Sequence, residues 1–318
     1  MKRVLILFGK CNWTKSRPFD NPDYMYSYEY FYDLCRKNGV QMYRASYQWY
    51  DYKKHIFKYA WIFQSKGANW KRVYNIKPDL IYDKTKAGLE VYHKKELVAK
   101  NYDFINDLNF TRIIDDKFIT GTLFNKWSKK SWFIKNSLEL KKILRFLSSE
   151  KIVIKPNSES GGNDIQIVNK KVALKKAVID REYLVQEFID SSGGVPGVSH
   201  SMHDLRLVCV NKKIIYCYIR EPKQGSYLAN LAQGGSLIIV PIKKLPASLR
   251  PIVAYASDIF KIFNPRIYSI DFMFDEKRKP WIVELNSMPG LYFTPQEKPY
   301  MVKMYKELIE VFKKRLGV

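Results

Sequence analysis

The sequence predicts a mixed architecture, with an α/β module in the first third of the chain and an α+β region after it. Three observations carry that reading. Up to about residue 109, short apolar runs alternate with a helical stretch. From Lys151 the texture changes to closely spaced apolar runs separated by polar turns. Near the end, the apolar runs 267–274 and 281–285 flank a short polar turn, the pattern of an antiparallel hairpin.

In order, residues 4–8 read as a buried first strand ending at Gly9, and 24–38 as a helix closed by Gly39. Residues 40–43 and 78–83 are the next strands of the module. Residues 43–74 are crowded with Tyr, Trp, Phe and Lys. They fit either an aromatic-packed insertion or a stacking surface for substrate or nucleic acid. Helices are expected from 117 to about 125 and over 138–148. Residues 151–155 form a strand, closed by Pro156, which biases Lys155 to extended geometry. A Gly/Ser loop fills 157–164, and 165–168 is a strand. Residues 172–179 read as helix and 183–189 as strand. A second Gly/Ser loop occupies 191–201. Strands follow at 205–210 and 214–220, a helix at 249–263, the hairpin, and a closing helix at 300–316.

The chain has 318 residues, long enough for two or three modules, and 46% of them are hydrophobic. The formal net charge is +24, which attracts polyanions or acidic substrates. The lysines are scattered in pairs such as Lys53-Lys54 and Lys175-Lys176, as on a solvated surface. Four cysteines, Cys11, Cys35, Cys209 and Cys217, form no Cys-x-x-Cys pair, which points to a reducing, cytoplasmic setting. The apolar run after Lys2-Arg3 is too short for a signal sequence, and no run is long enough to span a membrane.

The hairpin carries the most chemistry. Glu284 and Asn286 alternate onto one face of their strand. A pairing symmetric about residues 277 and 278 sets Asp271 opposite Glu284, with Cβ atoms roughly 5 Å apart. Two carboxylates that close need a cation between them. With the Asn286 amide oxygen they make a hard-oxygen set suited to Mg²⁺. The plainer reading is a hairpin with exposed acids, although both acids sit inside apolar runs. Lys155 and the loop after it, with Ser158, Ser160, Gly161 and Gly162, are able to cradle phosphates through backbone N–H groups. The loop also reads as a simple connection between strands, since it lacks the P-loop pattern. Gln186, Glu187, Phe188 and Ile189 end an apolar strand, where backbone groups meet the edge of a base and Phe188 or Ile189 walls it. His200 and His203 share a loop and read as loop residues rather than a zinc site.

In this order the pieces resemble the ATP-grasp superfamily, and within it the RimK-type carboxylate–amine ligases. The resemblance covers about residues 111–292. It rests on Val185-Gln186-Glu187-Phe188-Ile189, Asp204-Leu205-Arg206, Asn230 with Gly234-Gly235, and Glu284-Leu285-Asn286-Ser287-Met288-Pro289-Gly290 as a set. It implies a pre-ATP-grasp-like α/β domain at 1–110 and a two-lobed ATP-grasp domain with antiparallel sheets. The lobe with the glycine-rich lid spans 111–190 and the lobe with the metal site spans 191–318.

By this resemblance, Lys117 and Lys155 meet the ATP phosphates and 158–163 is the lid. Gln186, Glu187 and Ile189 meet adenine, and Asp204 meets the ribose. Asn230 falls in the family's nucleotide-binding set, and Lys223 faces phosphate. Arg206 and Arg220 stabilise the anionic intermediate or hold substrate. Asp271, Glu284 and Asn286 hold Mg²⁺, two ions being expected and Mn²⁺ an acceptable substitute. The family often has Arg before Ser-Asn and His before Arg-Gly-Gly, where this chain has Leu228, Ala232 and Gln233. The loop 191–201 is also longer than usual. Both departures lie on the acceptor side. The implied reaction is ATP-dependent joining of an acid to an amine through an acylphosphate, with small-molecule or peptide substrates, an acidic acceptor being favoured by charge. The alternatives are an ATP-grasp kinase acting on a hydroxyl and a non-enzymatic binder of nucleic acid.

Overall fold

The computed structural model of the chain describes residues 1–9, 18–65, 69–85, 89–158, 162, 164–229 and 235–318. The chain forms two compact units. One comprises Met1–Thr111, Ile262–Ile267 and Met288–Val318, and the other Arg112–Lys261 and Tyr268–Ser287.

The first unit is built on a sheet that opens with β1 (Lys2–Phe8), from which α1 (Pro22–Lys37) leads to β2 (Val40–Ser46). Asn21 caps α1, its side chain accepting from the N–H groups of Asp23 and Tyr24, as an Asn before a Pro-led helix should. The aromatic stretch folds into β3 (Tyr50–Asp51), β4 (Ile56–Gln64) and β5 (Asn69–Ile76), followed by β6 (Leu80–Asp83), α2 (Leu89–Ala99) and β7 (Phe104–Ile105). The sheet order is β3-β4-β2-β1-β6-β7, with β5 on β4. Pairs β1–β2, β1–β6 and β6–β7 are parallel, while β4 runs antiparallel to β2, β3 and β5. Residues 43–74 therefore extend the sheet, and their rings pack it: Tyr50, Phe57 and Ala60 join Leu5, Leu7 and Ile81 in one buried cluster. The closing helix Lys298–Leu316 also belongs to this unit, with Phe31 and Tyr305 rings 4.4 Å apart. It follows residues 191–287 in sequence but packs elsewhere.

The second unit starts within α3 (Leu108–Asp115) and continues through α4 (Lys117–Leu123), β8 (Ser131–Ile134), α5 (Ser137–Ile143), β9 (Lys151–Lys155), β10 (Gln166–Asn169), α6 (Ala173–Lys176) and β11 (Tyr183–Glu187). These strands form an antiparallel sheet in the order β10-β9-β11-β8. Ile152 and Ile154 of β9 turn into a core with Ile134, Leu140, Tyr183 and Val185. The helix expected over 172–179 is only the single turn of α6, which ends where Ala177 takes up extended backbone. A second antiparallel sheet, ordered β14-β13-β12-β15-β16, comprises β12 (Asp204–Val210), β13 (Lys213–Glu221), β14 (Ser236–Val240), β15 (Ile267–Phe274) and β16 (Pro280–Asn286). The helix α7 (Arg250–Ile259) buries Ile252 and Ala256. The mixed α/β class and the antiparallel sheets match the sequence expectation. No helix among the described residues is long and apolar enough to cross a membrane.

Candidate active site

The hairpin β15–β16 places the two acids as the sequence pattern predicts, by a route the pattern did not show. Near the turn, Phe274 pairs with Pro280 and Phe272 with Ile282. Continuing that register would set Asp271 against Val283, with Glu284 on the opposite face. A bulge inserts Val283 as an extra residue, so Asp271 pairs with Glu284. Glu284 and Asn286 then share one face, and the Asn286 amide donates to Glu284 Oε1 at 3.0 Å.

The same face continues onto β12 and β13. Asp204 and Arg206 lie two residues apart on β12, and Arg220 stands opposite Asp204 in the ladder. Arg206 Nε donates to Asp271 Oδ1 at 2.6 Å, and Arg220 Nη2 to Asp271 Oδ2 at 2.8 Å. Arg220 also pairs with Asp204, and Arg206 reaches Glu284 at 3.6 Å. Arg206 is thus the cation between the two carboxylates. Asp271 is fully buried. Burial pushes the Asp204 carboxyl up to about 7, with Arg220 opposing and the nearby Asp271 charge adding to the rise. Asp204 Oδ1 and Arg220 Nε are buried with no hydrogen-bond partner among the described residues.

Two lysines reach this face from other elements. Lys117, the first residue of α4, lies 3.6 Å from Glu284 and donates to the Asn157 carbonyl at 3.2 Å. Lys155, at the end of β9, donates to Gln186 Oε1 at 3.0 Å and to the Val283 carbonyl at 3.3 Å. The bulged residue therefore provides an acceptor for Lys155. Burial lowers the Lys155 ammonium to about 8, the Lys117 charge adding to the fall and Glu284 opposing it. Four cationic side chains converge on three carboxylates, Asp204, Asp271 and Glu284.

The other expected residues are placed less directly. The Gln186 side chain is engaged within the protein, donating to the Lys129 carbonyl at 2.8 Å and Ser131 Oγ at 2.9 Å. Glu187 accepts from the Ser148 N–H and hydroxyl. The Phe188 ring meets Tyr227 edge-on at 5.3 Å, and Ile189 is buried. Ser158 is exposed. Gly162 adopts a left-handed φ of 75°. Lys223 sits on the exposed loop after β13 and forms no ion pair with the described residues. Ser160, Gly161, Asn230, Ala232, Gln233 and Cys11 lie outside the described residues. His203 is fully buried, its Nδ1 3.0 Å from the Ser191 carbonyl and its Nε2 accepting from the Phe274 N–H at 3.1 Å.

Sequence reasoning passed over the residues that fix the lysines. Asp116 caps α4, accepting from the Ile119 N–H, and its other oxygen accepts from the Asn157 amide at 2.8 Å. Asp115 accepts from both the N–H and the hydroxyl of Ser287. These bonds tie the start of α4 to the loop after Lys155 and to the end of β16. Asp115-Asp116 directly before a helix was the available signal.

Among the described residues no group of three or more His, Cys, Asp or Glu side chains forms a metal cage. Mg²⁺ in phosphate sites is held by one or two carboxylates plus the phosphates themselves, so two opposed acids and an amide fit that ion by chemistry, with Asp271 available once Arg206 and Arg220 release its oxygens.

The family model for a RimK-like ATP-grasp domain matches residues 127–312. The chain belongs to that family. Among curated proteins, it is 27% identical over 158 residues to a probable alpha-L-glutamate ligase of Aliivibrio fischeri, covering 48% of each chain. It is 30% identical over 132 residues to a probable alpha-L-glutamate ligase of Legionella pneumophila, covering 42% of this chain and 38% of that one. The matches thus span about half or less of these relatives' length. In fold, the chain is similar to the crystal structure of the VanG D-Ala:D-Ser ligase from Enterococcus faecalis, with a TM-score of 0.65, 14% identity and coverage of 98% and 99% of the two chains.

Proposed function

We propose that the chain is an ATP-dependent ligase that joins a carboxylic acid to an amine, releasing ADP and phosphate. The observation that carries this reading is the single sheet face holding Asp204, Arg206, Arg220, Asp271 and Glu284, with Lys117 and Lys155 brought to it. Condensing a carboxylate with an amine in water fails because the carboxylate is a poor electrophile. Transfer of the γ-phosphoryl group to the carboxylate oxygen gives an acylphosphate and ADP. The amine nitrogen then attacks the acyl carbon, phosphate leaves, and the amine loses a proton.

The protein's part is positioning and cationic clamping of a group whose charge spreads over its oxygens. Lys117 and Lys155 hold the phosphates. Arg206 and Arg220 steady the anionic acyl centre, drawn from Asp271 as the substrates enter. Asp204 meets the ribose, with Lys223 and Asn230 beside the phosphates. The strand end 186–189 meets the base. The loop through Ser158, Ser160, Gly161 and Gly162 covers the triphosphate. Asp271, Glu284 and Asn286 would hold Mg²⁺, which when bound neutralises phosphate charge; two ions are expected, with Mn²⁺ able to substitute. The relatives' names support glutamate as one substrate, and the charge of +24 supports an acidic partner for it. The buried thiols, in no disulfide among the described residues, suit a cytoplasmic setting.

The test is ADP release from ATP with mixtures of amino acids and acids. Turnover should require both substrates and fall at least about 100-fold in Asp271→Asn and Glu284→Gln. Unchanged turnover in both variants removes the assignment, and a stable phosphoester product assigns a kinase instead.

A further inference from the structure

The first unit contains a buried cation that the proposed ligase site does not use. Arg44 lies on β2, paired with Ile6 of β1 and Trp61 of β4. It is 7% exposed. Its guanidinium carbon sits 3.4 Å from the centre of the Phe8 ring, 4.2 Å from Phe19 and 5.5 Å from Tyr28. Phe19 and Tyr28 stack on each other at 5.0 Å, closing an aromatic box. Stacked rings satisfy the faces of a guanidinium and leave its in-plane N–H groups unmet. Here Nε and Nη1 are buried with no acceptor, and Arg44 forms no ion pair, among the described residues. Charges enclosed like this are costly unless something anionic pairs with them.

The position in the sheet is the second observation. From β1 the chain passes through α1 to β2 on one side, and later places β6 on the other side, all three strands parallel. Ligands of open α/β sheets bind outside the C-terminal strand ends where the winding reverses. Phe8 ends β1, and Arg44 lies two residues before the end of β2.

We propose that Arg44 is the anchor of a second ligand site, within the first unit, and that it binds the carboxylate of an amino acid or short peptide. The choice of ligand rests on the ligase reading. It also follows from the box itself: one planar fork and apolar walls suit a single negative charge with two coplanar oxygens, whereas a phosphate needs more donors than one guanidinium presents.

The experiment uses the full chain without nucleotide. Acetate, L-glutamate, L-glutamyl-L-glutamate and, as control, inorganic phosphate are titrated by calorimetry. In parallel, nitrogen-15 spectra follow the Arg44 Nε–H signal, assigned by its loss in Arg44→Lys. At least one carboxylate should bind and shift that signal. Its affinity should fall tenfold or more in Arg44→Lys and be lost in Arg44→Met, while the thermal midpoint of Arg44→Met stays level or rises. The proposal is overturned if no carboxylate shifts the signal, if only phosphate does, or if Arg44→Met binds as wild type does. Should Arg44→Met fail to fold, the affinity of Arg44→Lys and the signal it assigns in the wild type decide. Binding of a non-hydrolysable ATP analogue, measured separately, reports on the ligase reading, so the two failures are distinct.

Discussion

Lys155 shows how one side chain ties sequence to chemistry. Its strand and the following Pro156 fix an extended backbone, and the core residues Ile152 and Ile154 turn inward on one face. Lys155 itself is 4% exposed, and burial brings its ammonium to about 8. Below that pH the ammonium is charged and attracts phosphate. Above it the attraction fades. ATP affinity should therefore decline as pH rises through about 8 in the wild type, and stay flat there in Lys155→Arg. Stability should move the opposite way. The unfolded chain binds more protons than the folded one between about 8 and the ordinary 10.5, so the folded state gains across that window. Calorimetry and urea midpoints over pH 7 to about 10 check both signs. Lys155→Ala should weaken ATP binding by at least about tenfold. Native-like affinity in that variant would count against the phosphate role.

At the scale of elements, the hairpin was legible because period-two alternation marks both strands, and the carboxylate pairing followed from counting about the turn. The bulge was not legible. An extra residue in one strand leaves no local signature when it is an ordinary Val in an apolar run, and only the partner strand reveals it. The aromatic stretch was legible as a packed insertion, but its strands were hidden for a related reason. In β5 the exposed Asn69, Lys71, Arg72 and Asn75 break the apolar pattern of an interior strand. His203 was legible as a loop residue, but its burial was not, because nothing in sequence shows that Phe274 lies against it. The bulge yields a prediction. Deleting Val283 keeps Ile282 against Phe272 and Glu284 against Asp271, and removes only the unpaired residue. The hairpin should survive with small loss of thermal stability. ATP affinity should drop severalfold, because Lys155 loses the Val283 carbonyl. Wild-type affinity in the deletion would show that the bulge serves only the register.

At the scale of the molecule, the mixed topology was legible in the change of texture at Lys151, whereas the return of the closing helix to the first unit was not. Its apolar face has no sequence label naming Phe31 or Tyr82 as partner. The two units also carry separate buried thiols: Cys35 in the first, Cys209 and Cys217 in the second. Burial raises the Cys35 thiol well above its ordinary range, so it is inert while the unit stays closed. Alkylation then becomes a clock for each unit's breathing, read peptide by peptide in a mass spectrometer. A nucleotide seated in the second unit should slow the clock at Cys209 and Cys217 and leave Cys35 ticking at its own pace. Equal slowing at all three would reveal that the halves open as one.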